Sequence, residues 1–149
     1  MLDYNNNIDL YLQINIWFFI IKNMKKVILA VNGTLMRGLE LENNLKEVNA
    51  VFLSESKTAP RFRLFSIDDK YPAMIEDEEG ASIDVELYEL GEEMMQVVLS
   101  KEPDGLTIDK IRLIDEQEVY GVIGLPYIIK DHKEITSYGG WRNYIKDVK

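Results

Sequence analysis

Hydrophobic positions along this chain switch between distinct patterns, and each switch marks an element. Residues 27–31 (Val, Ile, Leu, Ala, Val) form an unbroken, largely β-branched run of strand length, as expected of a strand buried on both faces. A loop with two glycines, Gly33 and Gly38, follows at once. Leu39, Leu41, Leu45 and Val48, spaced by acidic, amide and lysine residues, then predict a short amphipathic helix. Residues 51–53 read as a strand, and Pro60 forces Ala59 into an extended break. Residues 61–67 alternate polar with apolar, the pattern of a strand with one buried face. Residues 68–70 predict a turn, 71–75 a short extended piece, and 76–80 an acidic solvated loop without calcium-loop spacing. Residues 82–90 alternate most clearly, with Ile83, Val85, Leu87 and Glu89 on one face and Ser82, Asp84, Glu86 and Tyr88 on the other.

Gly91 is expected to open a helix through Leu99 with Met94, Val97 and Val98 inward, and Pro103 and Gly105 end it. Residues 110–114 and 119–123 predict a hairpin, and Trp141, Tyr144 and Ile145 sit at helical spacing near the end. Strands outnumber helices and come in clusters. The expected class is α+β: a small mixed, mostly antiparallel β-barrel with flanking helices.

Residues 1–23 break the pattern. Their uninterrupted apolar part, residues 16–21, is far shorter than the ~20 residues of a membrane span, and neither a basic start nor a small-residue cleavage site is present. Met24-Lys25-Lys26 resembles a natural start, so residues 1–23 are expected to be an N-terminal extension; an added edge strand or helix is the rival. Residues 24–149 then form a single domain.

Composition narrows the chemistry. With 149 residues and 46% hydrophobic content the chain supports one core. A net charge of −9 repels phosphate backbones and anionic lipid, so neither nucleic acid nor membrane is expected as partner. The absence of cysteine excludes disulfides and thiolate chemistry and suits a reducing cytoplasm. The single histidine, His132, lies in a polar stretch that reads as an exposed loop, so neither a histidine metal site nor a two-histidine mechanism is available. No cofactor and no metal are expected.

Proton transfer therefore falls to carboxylates, lysine or tyrosine. Glu102 is placed unusually, between the end of an amphipathic helix and Pro103. If it meets the loop of Asn32, Gly33, Thr34 and Leu35, burial raises its pKa beside backbone N–H donors, and a base and an oxyanion site come together. The plainer readings are an exposed glutamate at a helix end and an ordinary strand-to-helix turn. Tyr71, Tyr88 and Tyr120 are phenolic candidates that serve equally as strand packing.

Asn32-Gly33-Thr34-Leu35 after a buried strand, Tyr71-Pro72-Ala73-Met74, and Val85-Glu86-Leu87-Tyr88-Glu89-Leu90 together resemble the γ-glutamylcyclotransferase-like (AIG2-like) fold family. Thr58-Ala59-Pro60-Arg61-Phe62-Arg63-Leu64-Phe65, and the ending Ile135-Thr136 through Tyr138-Gly139-Gly140-Trp141-Arg142 to Tyr144, resemble the C-terminal domain of allophanate hydrolase more specifically. The resemblance spans about residues 26–146. It implies a γ-glutamylcyclotransferase-type enzyme: Glu102 is the general base, 5-oxoproline forms as an amine leaves, and Asn32, Gly33, Thr34 and Leu35 bind the small-molecule substrate. The alternatives are a lone allophanate hydrolase C-terminal-like domain that acts in urea or allophanate breakdown with a separate amidase as partner, and a non-catalytic binding module. A homo-oligomer stays open. Two departures stand out: Asn32 replaces the loop tyrosine of the first family, and Glu102 stands where the second carries an apolar residue.

Overall fold

The computed structural model describes residues 4–149, and residues 1–3 of the expected extension lie outside the described residues. Residues 4–23 form one helix, α1 (Tyr4–Asn23), and not an edge strand. Apolar side chains emerge on all its sides and stay exposed, Phe18 and Phe19 among them, yet no helix among the described residues is long and apolar enough to cross a membrane.

β1 (Lys26–Val31) is the central strand, with Leu29, Ala30 and Val31 wholly buried. It pairs antiparallel with β5 (Asp84–Gly91) on one side and parallel with β7 (Glu118–Gly124) on the other, which makes the sheet mixed. β2 (Val51–Lys57) and β6 (Leu106–Arg112) lie outside them, in the order β2-β5-β1-β7-β6. The edges of this five-stranded sheet bend toward each other and touch at one end. There Thr58 bridges Leu113, the Ala59 N–H donates to the Arg112 carbonyl at 2.9 Å, and the Ile114 N–H donates to the Lys57 carbonyl at 2.9 Å. The expected α+β class with a mostly antiparallel mixed sheet is thus observed, with a curled sheet joined by a single bridge where a full barrel was expected.

A second sheet, β4 (Tyr71–Glu76), β3 (Phe62–Ile67) and β8 (Lys133–Glu134), packs beside it. Asp68 and Asp69 turn the β3–β4 hairpin with φ of 55° and 59°, the left-handed pair that matches strand twist. Both faces of β3 are covered, so its alternation marks a strand but not a solvated side.

Two helices differ from expectation in length or facing. The first amphipathic stretch condenses to α2 (Glu42–Lys46), with Leu45 as its buried residue. β5 runs on through Gly91, because Gly91 pairs with Lys26 and the Glu92 N–H reaches the Lys25 carbonyl at 2.8 Å. The helix therefore starts later, as α3 (Met94–Ser100), and the later start turns Met95 and Val98 inward and leaves Val97 exposed. The ending is α4 (Trp141–Val148), which buries Trp141 and Tyr144 as expected.

The expected polar face of β5 is also covered. Glu86 is 3% exposed and Tyr88 5%. Glu86 Oε1 accepts the Arg37 backbone N–H at 2.9 Å and Arg37 Nε at 3.2 Å, and Oε2 accepts Arg142 Nη2 at 2.9 Å. Removing Glu86 strands the Arg37 backbone N–H and takes from the half-exposed guanidiniums of Arg37 and Arg142 their shared buried partner. Glu86→Ala is expected to lower unfolding free energy by about 3 kcal/mol in urea titrations. Glu55→Ala, which removes the exposed partner of Arg37, should cost under about 1 kcal/mol.

Candidate functional site

The end of β1 carries the chain beneath β4, where Gly33 is pressed on Pro72 so closely that a Cβ would lie 2.5 Å from Pro72 Cδ. Only glycine fits this approach. Asn32 is buried, and its Nδ2 donates to the Val122 carbonyl at 2.8 Å, which anchors the loop to β7. The Met36 N–H donates to the Gly33 carbonyl at 3.0 Å and the Leu41 N–H to the Thr34 carbonyl at 2.9 Å, closing the turn on its acceptor side. On the donor side, the N–H groups of Gly33, Thr34 and Leu35 meet no protein acceptor among the described residues. Successive unpaired amides of this kind carry a concentrated positive potential suited to an anion or oxyanion.

Glu102 arrives from the other direction. Its N–H donates to the Leu99 carbonyl at 3.0 Å, which completes the last turn of α3, and Pro103 then redirects the chain. Glu102, Asn32, Gly33, Thr34 and Leu35 all line one small cavity of about 20 Å³, closed by Tyr71, Pro72, Leu106 and Val122. A space of that size holds about one water molecule. The Glu102 Oε1 is buried without a hydrogen-bond partner. Burial alone pushes its carboxyl up to about 7. Glu102 is thereby divided between its acid and base forms near neutrality, the condition for efficient proton transfer at ordinary pH.

Glu102 and the four loop residues expected from the sequence meet at this cavity, and of the three phenolic candidates only Tyr71 joins them. The sequence reading does not single out the remaining walls: Pro72 stands in the motif with Tyr71, which is the available signal, and Leu106 and Val122 give none. Burial raises the Tyr71 phenol above its ordinary range. Tyr88 belongs to the core, and Tyr120 is half-buried away from this cavity. His132 is not the exposed loop residue expected: its side chain is 25% exposed and its Nδ1 lies 3.7 Å from Asp68. Among the described residues no group of three or more histidine, cysteine or carboxylate side chains is placed to hold a metal ion.

Comparison with known proteins adds a family to this geometry. The family described as "Allophanate hydrolase C-terminal domain" matches residues 27–146. Urea amidolyase of Saccharomyces cerevisiae is 30% identical over 129 residues, which cover 81% of this chain and 7% of that protein. The chain therefore spans a small fraction of that curated relative. The crystal structure of a uropathogenic E. coli-specific protein superposes with a TM-score of 0.81 at 43% identity, covering 83% of this chain and 98% of that one. An AIG2-like protein of Mus musculus shares the fold, with a TM-score of 0.55 at 17% identity over 70% of this chain and 83% of that one.

The raised carboxyl has a consequence for stability. The folded protein keeps a proton on Glu102 that the unfolded chain releases from about pH 4.5 upward. The contribution of this group is therefore fully present below about pH 4.5 and is lost as pH rises through about 7. Glu102→Gln removes the titration. Its urea midpoint should exceed that of the wild type at about pH 8.5, and the gap should close at about pH 4.5.

Proposed function

The chain belongs to the allophanate hydrolase C-terminal domain family, and on that premise we propose that the Glu102 cavity is the proton-transfer site of a small-molecule enzyme. The substrate class is a small carboxylated amide or urea. The observation that carries this reading is the partnerless buried oxygen of Glu102 on the same cavity as the three unpaired amides of Gly33, Thr34 and Leu35. In this reading the amides hold the substrate's carboxylate or the oxyanion that develops on it, and Glu102 exchanges a proton with the substrate nitrogen. Exclusion of water from the cavity strengthens both interactions.

Two features favour this substrate class over the γ-glutamyl amine first expected from the loop. A cavity of about 20 Å³ must open for any substrate, and it must open less for a urea-sized one than for a γ-glutamyl chain. Asn32 is committed to the Val122 carbonyl and supplies no aromatic wall. The likeness to urea amidolyases points in the same direction. Those relatives extend far beyond the matched segment, so a separate amidase is read as the source of the carboxylated product.

The assay pairs the purified protein with two substrate sets: the carboxylated urea allophanate, supplied with or without an amidase that releases its ammonia and leaves the dicarboxylated amine, and γ-glutamyl amines. The expected result is faster consumption of the carboxylated urea, with a rate limb near about pH 7 and a loss of about 10²-fold or more in Glu102→Gln. Release of 5-oxoproline would overturn the substrate class. An undiminished Glu102→Gln variant would overturn the role of the carboxyl.

A further inference from the structure

Met36, the residue after the Glu102-facing loop segment, lines a different and much larger cavity of about 430 Å³. We propose that this cavity is a second site, which binds a small organic anion, a carboxylate or phosphate, between Arg142 and Lys146. The site is independent of the reading given to Glu102.

The argument begins with α4. Arg142 and Lys146 stand four residues apart, so they lie on one helix face, and both line the cavity. Like charges at this spacing repel unless an anion lies between them. Among the described residues no carboxylate does so: Lys146 has no ion-pair or hydrogen-bond partner, and only the Nη2 of Arg142 is engaged, by Glu86 Oε2 at 2.9 Å and the Arg37 carbonyl at 2.5 Å. Arg142 Nε and Nη1 and the Lys146 ammonium are thus free donors.

The acidic groups of the cavity are already answered. Glu86 is 3% exposed, with both oxygens occupied by Arg37 and Arg142. Asp84 is held by Lys57 at 2.9 Å, and Glu55 by Arg37 at 2.8 Å. The lining thus carries three cations, Lys57, Arg142 and Lys146, against the three carboxylates Glu55, Asp84 and Glu86, and because Arg37 from outside the lining also pairs with Glu55 and Glu86, the Lys146 ammonium is left without a carboxylate. This balance sets the cavity apart from the −9 of the whole chain. A volume of about 430 Å³ lies in the range of small-molecule sites. Met36, Val85 and Ile114 add apolar wall, which suits an anion with a carbon skeleton over a bare inorganic ion. Glu86 holds the Arg142 guanidinium at the cavity, and Arg142 belongs to the Gly-Gly-Trp-Arg ending that the Glu102 chemistry leaves unused.

The test follows amide and side-chain NMR signals as malonate, inorganic phosphate or sodium chloride is added at matched ionic strength. Saturable shifts at Arg142, Asn143 and Ser56 with malonate or phosphate are expected by about 10 mM, and the tighter of the two identifies the anion class. Lys146→Gln, at an exposed position, should fold normally and weaken the Kd by about fivefold or more. Lys46→Gln, which removes an exposed lysine of α2, should leave it unchanged, and Glu102→Gln should bind as the wild type does. Shifts that chloride reproduces, the lack of any saturable shift, or an unaltered Kd in Lys146→Gln would each overturn the proposal.

Discussion

A buried carboxylate cannot stay charged without partners, and the fold turns on how Glu86 finds them. Moving a carboxylate into a low-dielectric interior costs several kcal/mol, on the order of what a single domain has in reserve. Glu86 recovers that cost through Arg37 from the loop after β1 and Arg142 from α4. Desolvation opposes its charged form. The Arg37 N–H and the two guanidiniums outweigh it and hold the carboxyl below its ordinary range. The clamp ties two segments distant in sequence, the loop after β1 and α4, to the middle of β5. It also grips Arg37 by both its N–H, through Glu86, and its carbonyl, through Arg142 Nη2. Arg37 follows the Gly33, Thr34 and Leu35 amides by two residues, so the ion cluster determines where that loop leaves the cavity.

Glu102 shows the reverse case with the same side chain. The residue is half-buried, but its Oε1 is buried with no donor or cation to answer it, and desolvation lifts the carboxyl to about 7. The two glutamates differ in partners and not in chemistry. Glu86 is charged and fixed, whereas Glu102 can gain or lose a proton near neutral pH. The first shapes the scaffold and the second is available for reaction, a division that follows from which donors the fold brings to each.

Position in the sheet explains why the two halves of the structure are unequally legible. β1 was readable because a strand buried on both faces must be apolar throughout, and Leu29 to Val31 are. α4 was readable because Trp141 and Tyr144 carry so much apolar area that their helical spacing dictates docking. The alternation of β5 marks a strand but not its solvation, because Glu86 and Tyr88 look like surface residues until Arg37 and Arg142 cover Glu86 and Phe52 packs edge-on against Tyr88. α3 starts three residues later than its local pattern predicts for a related reason: Gly91 is claimed by a β-pairing with Lys26 that no local pattern announces.

The sequence by itself determined the α+β class, the central strand and the two glycines of the loop, since these depend on local period and backbone freedom, and its motifs pointed to Asn32, Gly33, Thr34, Leu35 and Glu102 as candidates. Tertiary structure alone decided that those five share one cavity too small for more than about one water molecule. It alone decided that Glu102 lacks a partner while Glu86 has three donors, and that Arg142 and Lys146 open on separate space. The physical reason is common to all of these. Burial, desolvation and charge pairing are properties of segments far apart in the chain, such as Gly33 against Pro72 and Arg37 against Arg142, and local pattern holds no record of who meets whom.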